Sequence, residues 1–197
     1  MIRLFLAAAP AALLMMSSAQ AEPVAYEMDL SHSVVRATWD HQGFSQQSLE
    51  FTDFNGTLVL DMEAPSNSTV DITFNLIDGM WAGGHHERFI GHLNSADLFN
   101  TAASPTAHFV GTNFETDDGV TGVMTGDLTL NGQTHEVMLD VELNKSGETQ
   151  DGLSKLGFSA IGFINRSDWG LGYAVPYVSD QVEIFLSTEV SAIPAAE

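Results

Sequence analysis

The stretch that most constrains this chain is Asp118 to Asn144, DGVTGVMTGDLTLNGQTHEVMLDVELN. Val120, Met124, Leu128 and Leu130 fall on one alternating face, with Gly122 and Gly126 between them. Thr121, Thr125, Asp127 and Thr129 lie opposite, joined by Val123. After Asn131-Gly132 the alternation resumes, with Val137, Leu139, Val141 and Leu143 set against Glu136, Asp140 and Glu142. Period-2 alternation is the mark of a half-buried strand, and Asn-Gly supplies the two positive-φ residues of a tight type I′ turn. The stretch therefore predicts a long antiparallel hairpin with one dry face and one wet face. What the dry face covers is the question for function.

The flanking sequence repeats the pattern. Tyr26 to Asp40 reads as one or two strands broken at Ser31-His32, and Leu49 to Met62 as another, with Leu58 and Leu60 on one face. Val70, Ile72, Phe74 and Leu76 alternate with polar residues, and Thr106 to Thr116 precedes the hairpin. Downstream, Ser146 to Ser154 reads as a polar loop; Phe158, Ala160, Gly162 and Ile164 mark a strand, and Val182, Ile184 and Leu186 mark the last one. About eight strands at regular spacing, bounded by turns, point to an all-β sandwich or barrel. An antiparallel eight-stranded barrel is wide enough to be filled by side chains or to hold one ligand. Gly122, Gly126, Ala160 and Gly162 share faces with large apolar residues, so the interior is expected to be under-filled there unless residues across the barrel close the gaps. Gly79 to Pro105 breaks the rhythm with a short helical insertion near residues 85–99, its apolar stripe Phe89, Ile90 and Leu93 facing away from His85, Arg88 and His92. So long a connection inside a β domain is either functional or a cap on the core.

The address is written at the start. Arg3, an apolar run from Leu4 to Met16 and the small-residue site Ala19-Gln20-Ala21 form a signal peptide over residues 1–21, cleaved after Ala21, with one domain over residues 22–197. The chain has no cysteine, so an exported protein of this kind holds together without disulfides. The net charge is −20, and removal of Arg3, the one charged residue of the leader, makes it −21. Such a surface repels nucleic acid and anionic headgroups.

Four stretches, spread over nearly all of the mature chain, resemble the YceI-like family of periplasmic polyisoprenoid-binding proteins. They are Tyr26 with Leu30-Ser31-His32-Ser33; Leu93-Asn94-Ser95-Ala96-Asp97-Leu98-Phe99 with Pro105 and Phe109; Gly126-Asp127-Leu128-Thr129-Leu130-Asn131-Gly132; and Ile164-Asn165-Arg166-Ser167-Asp168-Trp169-Gly170-Leu171. The resemblance implies a lipocalin-like barrel with an isoprenoid tail in its lumen, no catalytic cofactor, and a transient membrane or membrane-protein partner for delivery. The family's usual Thr-Gly and Arg-Asp pairs ahead of the helix are replaced here by residues 77–88, so the resemblance transfers the tail more firmly than the head group.

Taken together, strand faces and resemblance give a lumen lined by Leu58, Leu60, Val70, Ile72, Phe74, Met124, Leu128, Val137, Leu139, Phe158, Ala160, Ile164, Val182, Ile184 and Leu186. His85, His86, Arg88, His92, Arg166 and Trp169 are the candidates for the head end. A metalloprotein or hydrolase built on the histidine segment is the competing reading. His86-Glu87 opens like a zincin motif, but the fifth position is Ile90, and His85 and His92 stand roughly 10 Å apart along a helix axis. Arg166 is expected to pair with a carboxylate beside a turn capped by Ser167 and Asp168. Only Arg36, Arg88, Lys145, Lys155 and Arg166 remain to receive an anionic head, which favours a neutral, quinone-like isoprenoid over a pyrophosphate. Tail length and oligomeric state, a dimer included, are left open by the sequence.

Overall fold

The computed structural model describes residues 22–84 and 86–194. The leader, its cleavage after Ala21, and His85 lie outside the described residues. The strands are β1 (Val24–Met28), β2 (Val34–His41), β3 (Ser45–Phe51), β4 (Phe54–Leu60), β5 (Thr69–Asn75), β6 (Met80–Trp81), β7 (Thr106–Thr116), β8 (Thr121–Leu130), β9 (Gln133–Glu148), β10 (Ser154–Asn165) and β11 (Gln181–Ala192), with one helix, α1 (His86–Leu93).

These eleven segments make eight staves. β11 pairs with β1 at Val190↔Met28 and with β2 at Leu186↔Val35, so β1 and β2 form one stave broken in the middle. The break is a 3-10 turn at Leu30–His32, whose first N–H groups are met by Asp29 accepting from Ser31 N at 3.0 Å. β3 and β4 form the next stave, pairing with β2 and β1 respectively; β5 and the short β6 form the third. From β7 to β11 every strand is antiparallel to its sequence neighbour, and β11 returns to β1. The barrel is therefore closed, which removes the edges an open sheet of this length would expose.

The Asn-Gly turn is as the alternation predicts: Asn131 and Gly132 take φ of 50° and 71°, and Leu130 pairs with Gln133. The hairpin is longer than predicted. β9 continues to Glu148, because Lys145 to Glu148 find partners in Ser154 to Gly157 across a register shift at Gly157/Phe158. Only residues 149–153 are left as the loop.

The glycines do not leave the gaps expected of them. A Cβ built on Gly126 would fall 2.4 Å from Cζ of Phe109, one on Gly122 2.9 Å from Cζ of Phe114, and one on Gly162 2.6 Å from Cδ2 of Leu139. Side chains of neighbouring strands lie over these glycines, a cross-strand cover that packs the wall without adding to the lumen. The space inside comes from barrel closure instead.

Two buried clusters divide the interior. Leu49, Leu76, Met80, Leu93 and Trp169 centre one at the α1 end, with Phe89, Leu98 and Phe99 packed on it. Tyr26, Phe54, Leu58, Leu156 and Val190 centre the other at the far end.

Candidate functional site: an apolar lumen with two unlike ends

A cavity of about 670 Å³ runs through the barrel between these clusters. All fifteen residues named from strand alternation line it, from Leu58 on β4 to Leu186 on β11. Because side chains alternate across a strand, one correct face on each stave is enough to place them. Val35, Ala37, Leu49, Phe51, Phe54 and Phe109 join the lining, as do Phe89, Leu93, Leu98 and Phe99 from α1 and the turn after it. The helical insertion thus roofs one end of the lumen.

The roofed end carries free polar groups. His41, Gln42, Gln47, His92 and Tyr173 line the cavity there. His92 meets Tyr173 edge-on, ring centroids 5.5 Å apart, and Gln47 Oε1 accepts from Trp39 Nε1 at 3.2 Å. Among the described residues, none gives a side-chain hydrogen bond to His41, Gln42, His92 or Tyr173. The sequence placed His92 opposite the apolar stripe, but it follows Phe89 by three residues and shares its face. His41 ends β2 on the same alternating face as Val35, Ala37 and Trp39, whereas Tyr173 lies in a turn whose aim no periodicity reveals.

The far end is different: its polar lining groups are already satisfied. Asp61, 3% exposed, accepts from Glu63 N at 3.0 Å, Ala64 N at 2.8 Å and Asn67 Nδ2 at 3.2 Å. These bonds, that from the Ala64 amide foremost, hold its carboxyl below the usual range, so it stays an anion. Ser68 Oγ accepts from Asp61 N, Thr188 Oγ1 bonds Ser33 Oγ at 2.6 Å, and Asn113 Nδ2 donates to Glu115 Oε1.

The remaining head-end candidates divide. Arg166 lines the cavity, yet its guanidinium is spent: Nε donates to the Ser179 carbonyl at 2.8 Å, an Nη to Val178 O at 3.0 Å, and the other Nη to Leu171 O. It pairs with carbonyls, not with the carboxylate the sequence suggested; burial lowers its pKa, partly offset by Asp180. The carboxylate that caps the turn is Asp180, which takes Ser167 N at 2.8 Å and Ser167 Oγ at 2.6 Å, in place of Asp168. Arg88 is exposed and away from the lining. His86 Nδ1 stands 3.1 Å from Ala82 N, holding the start of α1. Trp169, 2% exposed, donates from Nε1 to Leu128 O at 3.0 Å and packs outside the lumen.

The competing metal reading rests on a segment whose His85 lies outside the described residues. Among the described residues, the cluster of ligand-type side chains is Asp29, His32 and Glu189, remote in sequence from the histidine segment. Its members are paired, Asp29 with His32 at 2.7 Å and Glu189 with Lys155 at 2.6 Å.

A closed antiparallel barrel, roofed by one helix around a dry lumen with a few free polar groups at one mouth, defines the class of lipocalin-like small-molecule binders. The YceI-like domain matches residues 26–190, and the chain belongs to that family. It is 34% identical over 178 residues to Protein YceI of Escherichia coli O17:K52:H18, covering 89% of this chain and 91% of the relative. Among solved structures, Burkholderia cenocepacia BcnA superposes with a TM-score of 0.72 at 20% identity, over 83% of this chain and 99% of that one. A polyisoprenoid binding domain from Saccharophagus degradans, implicated in plant cell wall breakdown, superposes at 0.56 with 13% identity, over 86% and 99%. At these identities the two structures speak to the fold.

Proposed function

We propose that the protein is an exported, non-catalytic carrier that holds an isoprenoid lipid with a neutral, quinone-like head. The leader is cleaved after Ala21 and the mature chain works in the periplasm, with transient delivery to or from a membrane or membrane protein. The isoprenoid class is supported by the family and by the polyisoprenoid-binding neighbour, and the lumen supplies the physical reason. Burying a tail in it is favourable by about 0.8 kcal/mol per methylene-sized group, so a long tail offers more gross energy than any complex retains. The head group therefore sets selectivity rather than strength.

One observation carries the choice of head. Among the described residues, Arg166 is the one Lys or Arg lining the lumen, and its donors are bound to three backbone carbonyls. A pyrophosphate would bring negative charge to a mature chain at −21 with no free Lys or Arg among the described lumen-lining residues to meet it. A quinone carbonyl asks only for one or two hydrogen-bond donors, which Tyr173, Gln42 or an imidazole can give. Organic extraction of protein purified from its native host, followed by mass spectrometry, tests this reading. An isoprenoid quinone or similarly neutral lipid is the expected result. A prenyl pyrophosphate overturns the head-group argument, and a lipid-free extract overturns the carrier reading.

A further inference from the structure

The lumen does not end in a wall. Met62 and Val120 both line it, and they are 50% and 48% exposed, so at the far end the same side chains face the cavity and the solvent. Their positions are built. Val120 N donates to Asp118 Oδ1 at 2.8 Å, and Val120 O accepts from Leu143 N at 2.7 Å, which ties the β7–β8 turn to β9. Met62 stands between Asp61 and the Glu63 and Ala64 amides that the Asp61 carboxylate holds.

Capacity gives this lip a purpose. A dry cavity of roughly 150 Å³ takes one benzene ring, so 670 Å³ takes about four such loads, on the order of 25 carbons or five isoprene units. A longer tail must coil beyond what the lumen holds or leave by the far end. Nothing polar at that end asks for a head group, since Asp61, Asn113 and Thr188 are already bonded, and the anionic Asp61 disfavours a second anion. An apolar exit with spent polar groups suits the terminus of a hydrocarbon chain.

We propose that Met62 and Val120 form an exit lip through which the end of a long isoprenoid tail threads, so that the barrel accepts tails longer than its lumen. This rests on the carrier reading above and adds the direction of the tail and the residues that decide its length limit. The lip sets no upper limit as it stands; closing it should create one.

The test is competitive loading of the full mature chain with synthetic benzoquinones bearing three or eight isoprene units, presented from the same zwitterionic vesicles. The bound fraction is measured by mass spectrometry after re-isolation. The wild-type protein should take the eight-unit compound at least as readily as the three-unit one. Val120→Trp and Met62→Trp should each lower the ratio of eight-unit to three-unit load by about tenfold, the discrimination that a one-group misfit in an apolar pocket gives. The two substitutions lie on separate turns, and thermal unfolding of each verifies that the barrel is intact, so one folded variant suffices. An unchanged ratio in a folded variant overturns the exit lip, as does a wild-type protein that already rejects the eight-unit tail. Loading of neither compound by the wild-type protein instead overturns the carrier reading on which the lip depends.

Discussion

The two ends of this barrel are built from similar materials and put to opposite uses. At the α1 end, Phe89, Leu93, Leu98 and Phe99 cover the lumen while His41, Gln42, His92 and Tyr173 keep hydrogen-bonding capacity in hand. At the far end, Asp61, Asn113 and Thr188 have spent theirs on the protein itself, and Met62 and Val120 meet the water. Gln42, His92 and Tyr173 are exposed and His41 is half-buried, so their donors and acceptors can exchange water for a ligand's polar atoms at no cost in protein bonds. The difference gives the lumen a direction that its uniformly apolar wall does not.

Arg166 is where that comparison is easiest to break. If it is a rivet for the loop of residues 170–180, Arg166→Met strands three backbone carbonyls and destabilises the fold by about 3 kcal/mol in chemical denaturation. A folded Arg166→Met protein of unchanged stability that had lost binding of an anionic lipid would make it a head-group ligand instead. Next in size is Ala160→Leu, midway along the lumen. Three added carbons enter space the tail would occupy, so uptake of an eight-unit benzoquinone should fall about tenfold, or about 1.4 kcal/mol, with unfolding stability held. Unaltered uptake would move the tail off β10.

The smallest effect belongs to the staple beside the far end. Ser31 and then His32 hold the Asp29 carboxyl down to about 2, and the Asp29 carboxylate in turn raises His32 above its ordinary 6.5. The Asp29 contribution is present above its unfolded value of 3.8 and is lost only as pH falls through about 2. The His32 contribution is full below 6.5 and is lost as pH rises through the folded value. The melting temperature should therefore drift down as pH rises above 6.5, and His32→Gln should flatten the drift. A drift of the same slope in His32→Gln would assign it to another group.

Much of this was legible from residues alone, for a definite reason. Strand alternation has period two, so Ile72, Phe74 and Leu128 could face one way only once their neighbours were read as polar, and the Asn131-Gly132 turn fixed the register between β8 and β9. The number and order of strands came through because most turns are short, whereas closure into a barrel, which spacing left open against a sandwich, was carried by the family resemblance. What did not come through depends on partners distant in sequence. Nothing local to Gly126 says that Phe109 covers it, and nothing local to Arg166 says that the carbonyls of Leu171, Val178 and Ser179 converge on it. Tyr173 was missed because loop residues carry no period, but His41 follows Trp39 and Ala37 on the inward face of β2, and that alternation was the signal that could have found it.

The orientation of the ligand is the claim on which the rest turns. It can be measured with methyl-labelled protein and an isoprenoid benzoquinone carrying a nitroxide at its head. Paramagnetic broadening should be strongest at the methyls of Leu93, Leu98 and Leu171, which line the α1 end, and should spare Val120 and Met62. Broadening of Val120 and Met62 with Leu93 and Leu98 untouched would place the head at the far end and contradict the account.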